Sequence, residues 1–236
     1  TRWRAYGPRT VILNEKKDCK GKSITAKKRS KIKRLSKIQQ SLTTGIERNL
    51  WEANPKMKLL VSKLNIPDFV YKTAWKIYTT TAKKKLTMGR SILGFIAASV
   101  YIAIRIYEIP RLLDEIVDAI LVSRRKVIRS IGMLIKDILP DLNLKYKPIK
   151  PEQLIFKFGN DLKLPIKIQK KALSLLKNSL KNGLSKNGKD PKGFAASAIY
   201  IAAKPTKYRK TQTEVSDTAN ITEVTLRTRI KDIKTY

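Results

Sequence analysis

The strongest constraint on this chain is that one stretch of it occurs twice. Gly94–Phe95, followed by small residues and Tyr101–Ile102–Ala103, returns as Gly193–Phe194, followed by small residues and Tyr200–Ile201–Ala202, at an offset of 99 residues. The match runs on without a gap through Glu115/Glu214, Asp118/Asp217 and Val127/Leu226. Ser91 aligns with Asp190, and both residue types cap helix N-termini well. Upstream the offset slips to 98, where Leu64–Asn65–Ile66–Pro67 meets Leu162–Lys163–Leu164–Pro165. A repeat of about 100 residues is a domain, too long for a solenoid unit.

The doubled stretch reads as a helix buried at the centre of a bundle. Ala97, Ala98, Ser99 and Ala103, with their partners Ala196, Ser197, Ala198 and Ala202, let neighbouring helices approach closely, and larger apolar residues lie all round. A membrane span competes with this reading. The uncharged run from Ser91 to Ile104 is only 14 residues, and a span needs about 20.

Composition then narrows the function. The formal net charge is +34. Self-repulsion of that size calls for a polyanion partner, most simply nucleic acid, with an anionic membrane surface as the lesser alternative. There is no histidine, and Cys19 is the only cysteine. This argues against a disulfide framework, a thiolate zinc site and the commonest general base. No Gly-rich phosphate loop or convergent carboxylate pair stands out, so no catalytic residue, metal or cofactor is assigned. Glu115 and Glu214 repeat, but each falls at a capping position of a short helix. No secretory signal is visible, and the start at Thr1 is expected of a fragment or processed form.

Along the chain, residues 1–40 carry 14 Lys/Arg against Glu15 and Asp18. They are expected to form an extended basic arm that orders on nucleic acid or a large partner. Ile32, Leu35 and Ile38 would allow a short helix within it. Residues 41–140 hold a first set of five helices. The first of these runs from Leu42 to Leu64 on Leu42, Ile46, Leu50, Leu59 and Leu60, with a kink at Pro55. Residues 141–150 are a Pro-punctuated hinge, and 151–236 repeat the order. No strand pattern persists. The fold class is therefore all-α, in two tandem five-helix domains.

The second unit ends informatively. Thr211–Gln212–Thr213–Glu214 is a capping box, Asn220 suits a tight turn, and Thr222 caps a last helix. Together they resemble a helix-turn-helix, whose second helix offers its N-terminal residues to base edges. Val224, Thr225, Arg227 and Thr228 occupy that place, with Lys207, Arg209, Lys210 and Arg229 around it as DNA-backbone contacts.

These residues resemble a known family. Two five-helix units with a doubled Ala-rich helix look like a pair of cyclin folds. Glu47–Arg48–Asn49–Leu50, Gly89–Arg90–Ser91, Pro110–Arg111–Leu112–Leu113–Asp114–Glu115–Ile116 and Arg209 through Arg227 resemble archaeal transcription factor B, the counterpart of the eukaryotic general factor IIB. The resemblance covers nearly the whole chain. It implies a factor in the archaeal cytoplasm, at the nucleoid and off the membrane, monomeric when free. Such a factor binds TATA-binding protein on promoter DNA, reads the flanking element and positions RNA polymerase. By this resemblance Val224 and Arg227 read bases and Arg90 meets a phosphate. Trp3, Arg4, Lys27, Lys28, Arg29, Lys33 and Arg34 belong to the polymerase reader and linker.

The chain departs from the family in three places. The zinc ribbon has no Cys pairs here. Leu112 stands where Thr is usual, which weakens a cap. Leu121 stands at the first unit's turn, opposite Asn220, which makes that turn a scaffold more than a reader. A cyclin-like kinase partner or a non-specific nucleic-acid binder would share the fold. Kinase capture without DNA binding would mark the former.

Overall fold

A computed structural model describes residue 17 and residues 21–41, 44–185 and 188–235. Among these there are eleven α-helices and no strand, only an isolated bridge between Lys17 and Ser23. The chain divides into two compact units at Tyr146/Lys147, the second also taking Glu108–Pro110.

The basic arm is not extended throughout. Helix α1 runs Ala26–Ser41, opened by Arg29 N–H donating to Thr25 O at 2.9 Å. Leu35 and Ile38 stay exposed. The long unbranched Lys, Arg and Gln side chains favour helix enough to hold it without a buried face.

Five more helices form the first unit: α2 Gly45–Lys63, α3 Asp68–Lys83, α4 Ile92–Ile106, α5 Leu113–Ile120 and α6 Arg124–Asp137. Helix α2 starts after Thr44 rather than at Leu42, which lies outside the described residues. Thr44 and Glu47 exchange reciprocal capping bonds of 3.2 and 3.1 Å. The helix runs on through Pro55. Its buried face is Ala53, Met57, Leu60 and Leu64, while Leu59 is 60 % exposed. Spacings of three and four place those four on one stripe, and Leu59 lies off it.

Helix α4 is the centre. Eleven of its residues are buried, Gly94–Val100 and Ile102–Arg105, and it touches each of α2, α3, α5 and α6. Buried Arg105 lies over the Tyr101 ring, 5.7 Å from its centroid, and reaches Arg111 O at 3.4 Å. Arg111 in turn donates to Leu64 O at 3.0 Å, closing the end of α2, and to Glu115 at 3.1 Å.

The second unit repeats this with α7 Pro151–Asp161, α8 Ile166–Lys181, α9 Pro191–Ala203, α10 Gln212–Ala219 and α11 Glu223–Thr235. Helix α9 touches all four others. Ser91 caps α4 through Gly94 N–H, and Asp190 caps α9 through Lys192 N–H at 2.9 Å. The repetition reaches the backbone. Asn65 and Lys163 end α2 and α7 in the left-handed region, at φ +48° and +54°. Leu121 and Asn220 do the same after α5 and α10, at +55° and +51°. No helix is long and apolar enough to cross a membrane, among the described residues.

In the second unit α11 packs closely where it crosses α9. A Cβ on Gly193 would come within 3.0 Å of Arg229 Cγ. The Arg229 guanidinium lies 5.6 Å from the Phe194 ring centre and pairs with Asp232, which also accepts from Lys189 at 3.0 Å. Burial pushes the Asp232 carboxyl up, but the bonds from Lys189 and Arg229 outweigh it and leave it below its ordinary value.

Two expectations follow for stability. Leu121 is 90 % exposed and sits in a conformation that costs a non-glycine residue about 1 kcal/mol. Leu121→Gly should therefore raise the unfolding free energy by about that amount in chemical denaturation. A loss would show that the Leu side chain does more than occupy the turn. A depressed carboxylate contributes stability that is present above its unfolded value and lost as pH falls through the folded one. Asp232→Asn should therefore lower the melting temperature at neutral pH, and the gap from the parent should close below about pH 4. A gap that persists in acid would mean the contribution is not ionic.

Candidate nucleic-acid interface

The last two helices begin with self-contained caps. Thr211 Oγ1 accepts from Glu214 N–H at 3.1 Å, and Glu214 accepts from Thr211 N–H at 2.9 Å. That backbone bond holds the Glu214 carboxyl below its ordinary range. The first unit has half of this device. Glu115 accepts from Leu112 N–H at 3.4 Å, but a Leu side chain has no acceptor with which to reciprocate. Both glutamates thus serve helix starts.

From α10 the chain turns through Asn220, and Ile221 N–H returns to Ser216 O at 3.0 Å. Thr222 Oγ1 accepts from Thr225 N–H at 3.3 Å and so caps α11. Only Leu226 and Ile233 of α11 are fully buried. Val224 is 70 % exposed, and Arg227, one turn on, is exposed as well. Residues three apart share a helix face, so an apolar side chain and a guanidinium stand together at the positive end of α11.

The other two expected base-contact residues have engaged hydroxyls. Thr225 is half-buried, with its hydroxyl 2.9 Å from that of Thr222. Thr228 is exposed, but its hydroxyl donates to Val224 O at 2.9 Å. Lys207 and Arg209 are exposed in the segment before α10, with Tyr208 between them. Lys210 is half-buried, 3.9 Å from Glu214. Arg229, expected on the DNA backbone, is instead held by Asp232 against Phe194, because its position on α11 faces α9.

The remaining expected residues lie elsewhere. Arg90 is exposed in the first unit, donating to Leu86 O at 2.7 Å. Lys126, Arg129 and Met133 of α6 line one niche with it. Lys27, Lys28, Arg29, Lys33 and Arg34 are exposed along α1. Trp3 and Arg4 lie outside the described residues. Among the described residues no group of three or more His, Cys, Asp or Glu could hold a metal ion.

The first unit repeats the geometry of the two last helices without their chemistry. At the 99-residue offset Arg125 replaces Val224 and Ile128 replaces Arg227. Arg124 is paired to Asp114 at 2.6 Å. Three residues that sequence reasoning did not assign complete the second unit's surface. Arg227 Nε donates to Gln212 Oε1 at 2.7 Å and its Nη2 to Glu223 Oε2 at 2.8 Å. Thr213 Oγ1 donates to the second oxygen of Glu223 at 2.8 Å. The i to i+4 spacing of Glu223 and Arg227 signals one of these contacts. The bond across the turn has no local signal.

Comparison with known proteins accords with this architecture. The family model of the transcription factor TFIIB repeat matches residues 46–136 and 144–236. The chain is 38 % identical over 229 residues to a transcription initiation factor IIB of Methanocaldococcus jannaschii, covering 96 % of this chain and 33 % of that protein. It is 39 % identical to the factor of that name from Methanococcus maripaludis strain C7, covering 96 % of this chain and 66 % of the relative. With the factor of that name from Pyrodictium occultum it shares 36 % over 230 residues, 97 % of this chain and 72 % of the relative. The chain thus spans a third to about two thirds of the first two relatives. These relatives bear the name of an initiation factor and not of an enzyme. With two repeats matched over most of its length, the chain belongs to the transcription factor TFIIB repeat family.

Proposed function

We propose that this chain acts as a transcription initiation factor that binds TATA-binding protein on promoter DNA, reads the flanking element through α11 and positions RNA polymerase. The observation that carries this reading is the pairing of exposed Val224 with exposed Arg227 at the N-terminal end of α11. An Arg fork suits a guanine edge, and an apolar side chain suits a thymine methyl. Thr225 and Thr228 flank that pair. Lys207, Arg209 and Lys210 supply phosphate contacts beside it, and Arg90 does so in the first unit. Arg229 contributes by holding α11 to α9. The basic face of α1, with the chain before it, serves the polymerase.

The net charge of +34 has its own consequence. The protein alone should bind duplex DNA weakly and without sequence preference, with affinity falling steeply as salt rises. Titrations at low and moderate salt test this, and a flat response would mean that the charge serves another partner.

Base reading is tested with Arg227→Ala in the presence of TATA-binding protein, on a promoter with the preferred flank and on one with a scrambled flank. The variant should lose about 1–3 kcal/mol on the first and much less on the second. Equal losses on both would show that α11 only grips the backbone.

A chain starting at Ser41 should still form the complex with TATA-binding protein and DNA, yet fail to initiate transcription in a reconstituted assay. Full activity would reduce α1 and the residues before it to a tether.

A further inference from the structure

Arg227 does not project freely from α11. Its Nε and Nη2 form one edge of the guanidinium, and both are engaged, by Gln212 of α10 and Glu223 of α11. A guanidinium has five N–H groups in a planar fork and no acceptor. Two are used here. The opposite edge, Nη1 with the second hydrogen of Nη2, keeps a parallel pair of donors. That pair fits two acceptors side by side, which is the major-groove edge of guanine.

The clamp is itself fixed. Gln212 is the first residue of α10, directly after the Thr211 cap, and its Nε2 reaches the Tyr200 hydroxyl of α9 at 3.4 Å. That contact leaves its carbonyl oxygen for Arg227. The second oxygen of Glu223 accepts from Thr213 at 2.8 Å. Gln212 and Thr213 thus approach from α10, and Glu223 and Arg227 answer from α11. The contacts cross the turn in both directions. A long Arg side chain otherwise loses much rotamer freedom on binding a base, and holding it beforehand removes part of that cost.

We infer that Gln212 and Glu223 are positioning residues that fix Arg227 with its outer edge presented for a guanine, so that one base preference of this protein is set by a residue outside the recognition helix. This rests on the proposal that α11 reads bases. Gln212 does not touch DNA in this account. It acts through Arg227, and its loss should change preference more than affinity.

The experiment uses the full chain with an archaeal TATA-binding protein and a pool of TATA-box duplexes whose flanking base pairs are randomised, with bound DNA sequenced. The parent should enrich guanine at one position, and Arg227→Ala should erase that enrichment. Gln212→Ala should reduce it about tenfold, the order of one good base contact, with the other positions unchanged. Gln212→Glu keeps an acceptor in place. It should retain the guanine preference while its added negative charge weakens binding to all sequences alike. Gln212 is half-buried on the surface, and an unchanged melting temperature of the Ala variant confirms the fold. If the parent enriches no base, or Arg227→Ala changes nothing, base reading itself fails and the positioning role with it. If Arg227→Ala erases the preference but Gln212→Ala leaves it intact, or flattens every position together, the positioning role alone is wrong.

Discussion

Everything in each unit depends on a helix with no exposed face. In α4 and α9 small Ala, Ser and Gly residues are interleaved with larger side chains such as Phe95, Ile102 and Phe194, and most of each helix is buried. Four other helices pack against each of them. Small side chains set how closely those helices approach, since a close-packed interior feels each added methyl. Gly193 shows the limit: a single Cβ there would press on Arg229. Because that carbon is missing, Arg229 can lie across Phe194 and meet Asp232. This contact fastens α11 to α9 at mid-length and leaves the first turn of α11, with Val224 and Arg227, on the surface. The exposure of Val224 and Arg227 on α11 therefore begins with a glycine on another helix.

The few acidic residues explain how so basic a chain holds together. There are 18 of them against 52 Lys and Arg. Several are placed where they serve the fold. Glu47, Glu115 and Glu214 accept backbone N–H groups at helix starts, where a negative charge also suits the helix dipole. Asp114, Glu223 and Asp232 each neutralise an arginine near a turn or a helix crossing. At that ratio the acids are too few to match each cation. A polyanion would supply the missing negative charge, releasing counterions as it binds.

The duplication was legible because buried central helices tolerate few residue types, so both copies kept small residues at the same spacings. Caps were legible for a similar reason. Thr211 and Glu214 form a local signature, and the structure pairs them. The stripe of α2 was misjudged at Leu59 because Met57, not a Leu, fills the core position beside Leu60. Helix α1 was legible in the arm only as a short helix on Ile32, Leu35 and Ile38, since charge density argued for extension while the unbranched side chains favour a helix of 16 residues. Arg229 was set among the DNA-backbone cations because Phe194, which its guanidinium overlies, meets it only in the fold, although Asp232 stands one turn on along the same helix. Gln212 carried no signal at all. Its contact with Arg227 spans a turn whose geometry must exist before the two can meet.

The central claim is that the first turn of α11 lies against bases beside the TATA box. The most direct measurement places a photoreactive benzoylphenylalanine at position 224 and irradiates the assembled complex of this protein, TATA-binding protein and promoter duplex. Val224 is exposed, so the probe should not disturb the core. The account predicts cross-links confined to a few base pairs in the flank of the TATA box, where an α-helix fits the major groove. Cross-links to TATA-binding protein alone, or DNA cross-links spread evenly along the duplex, would contradict it.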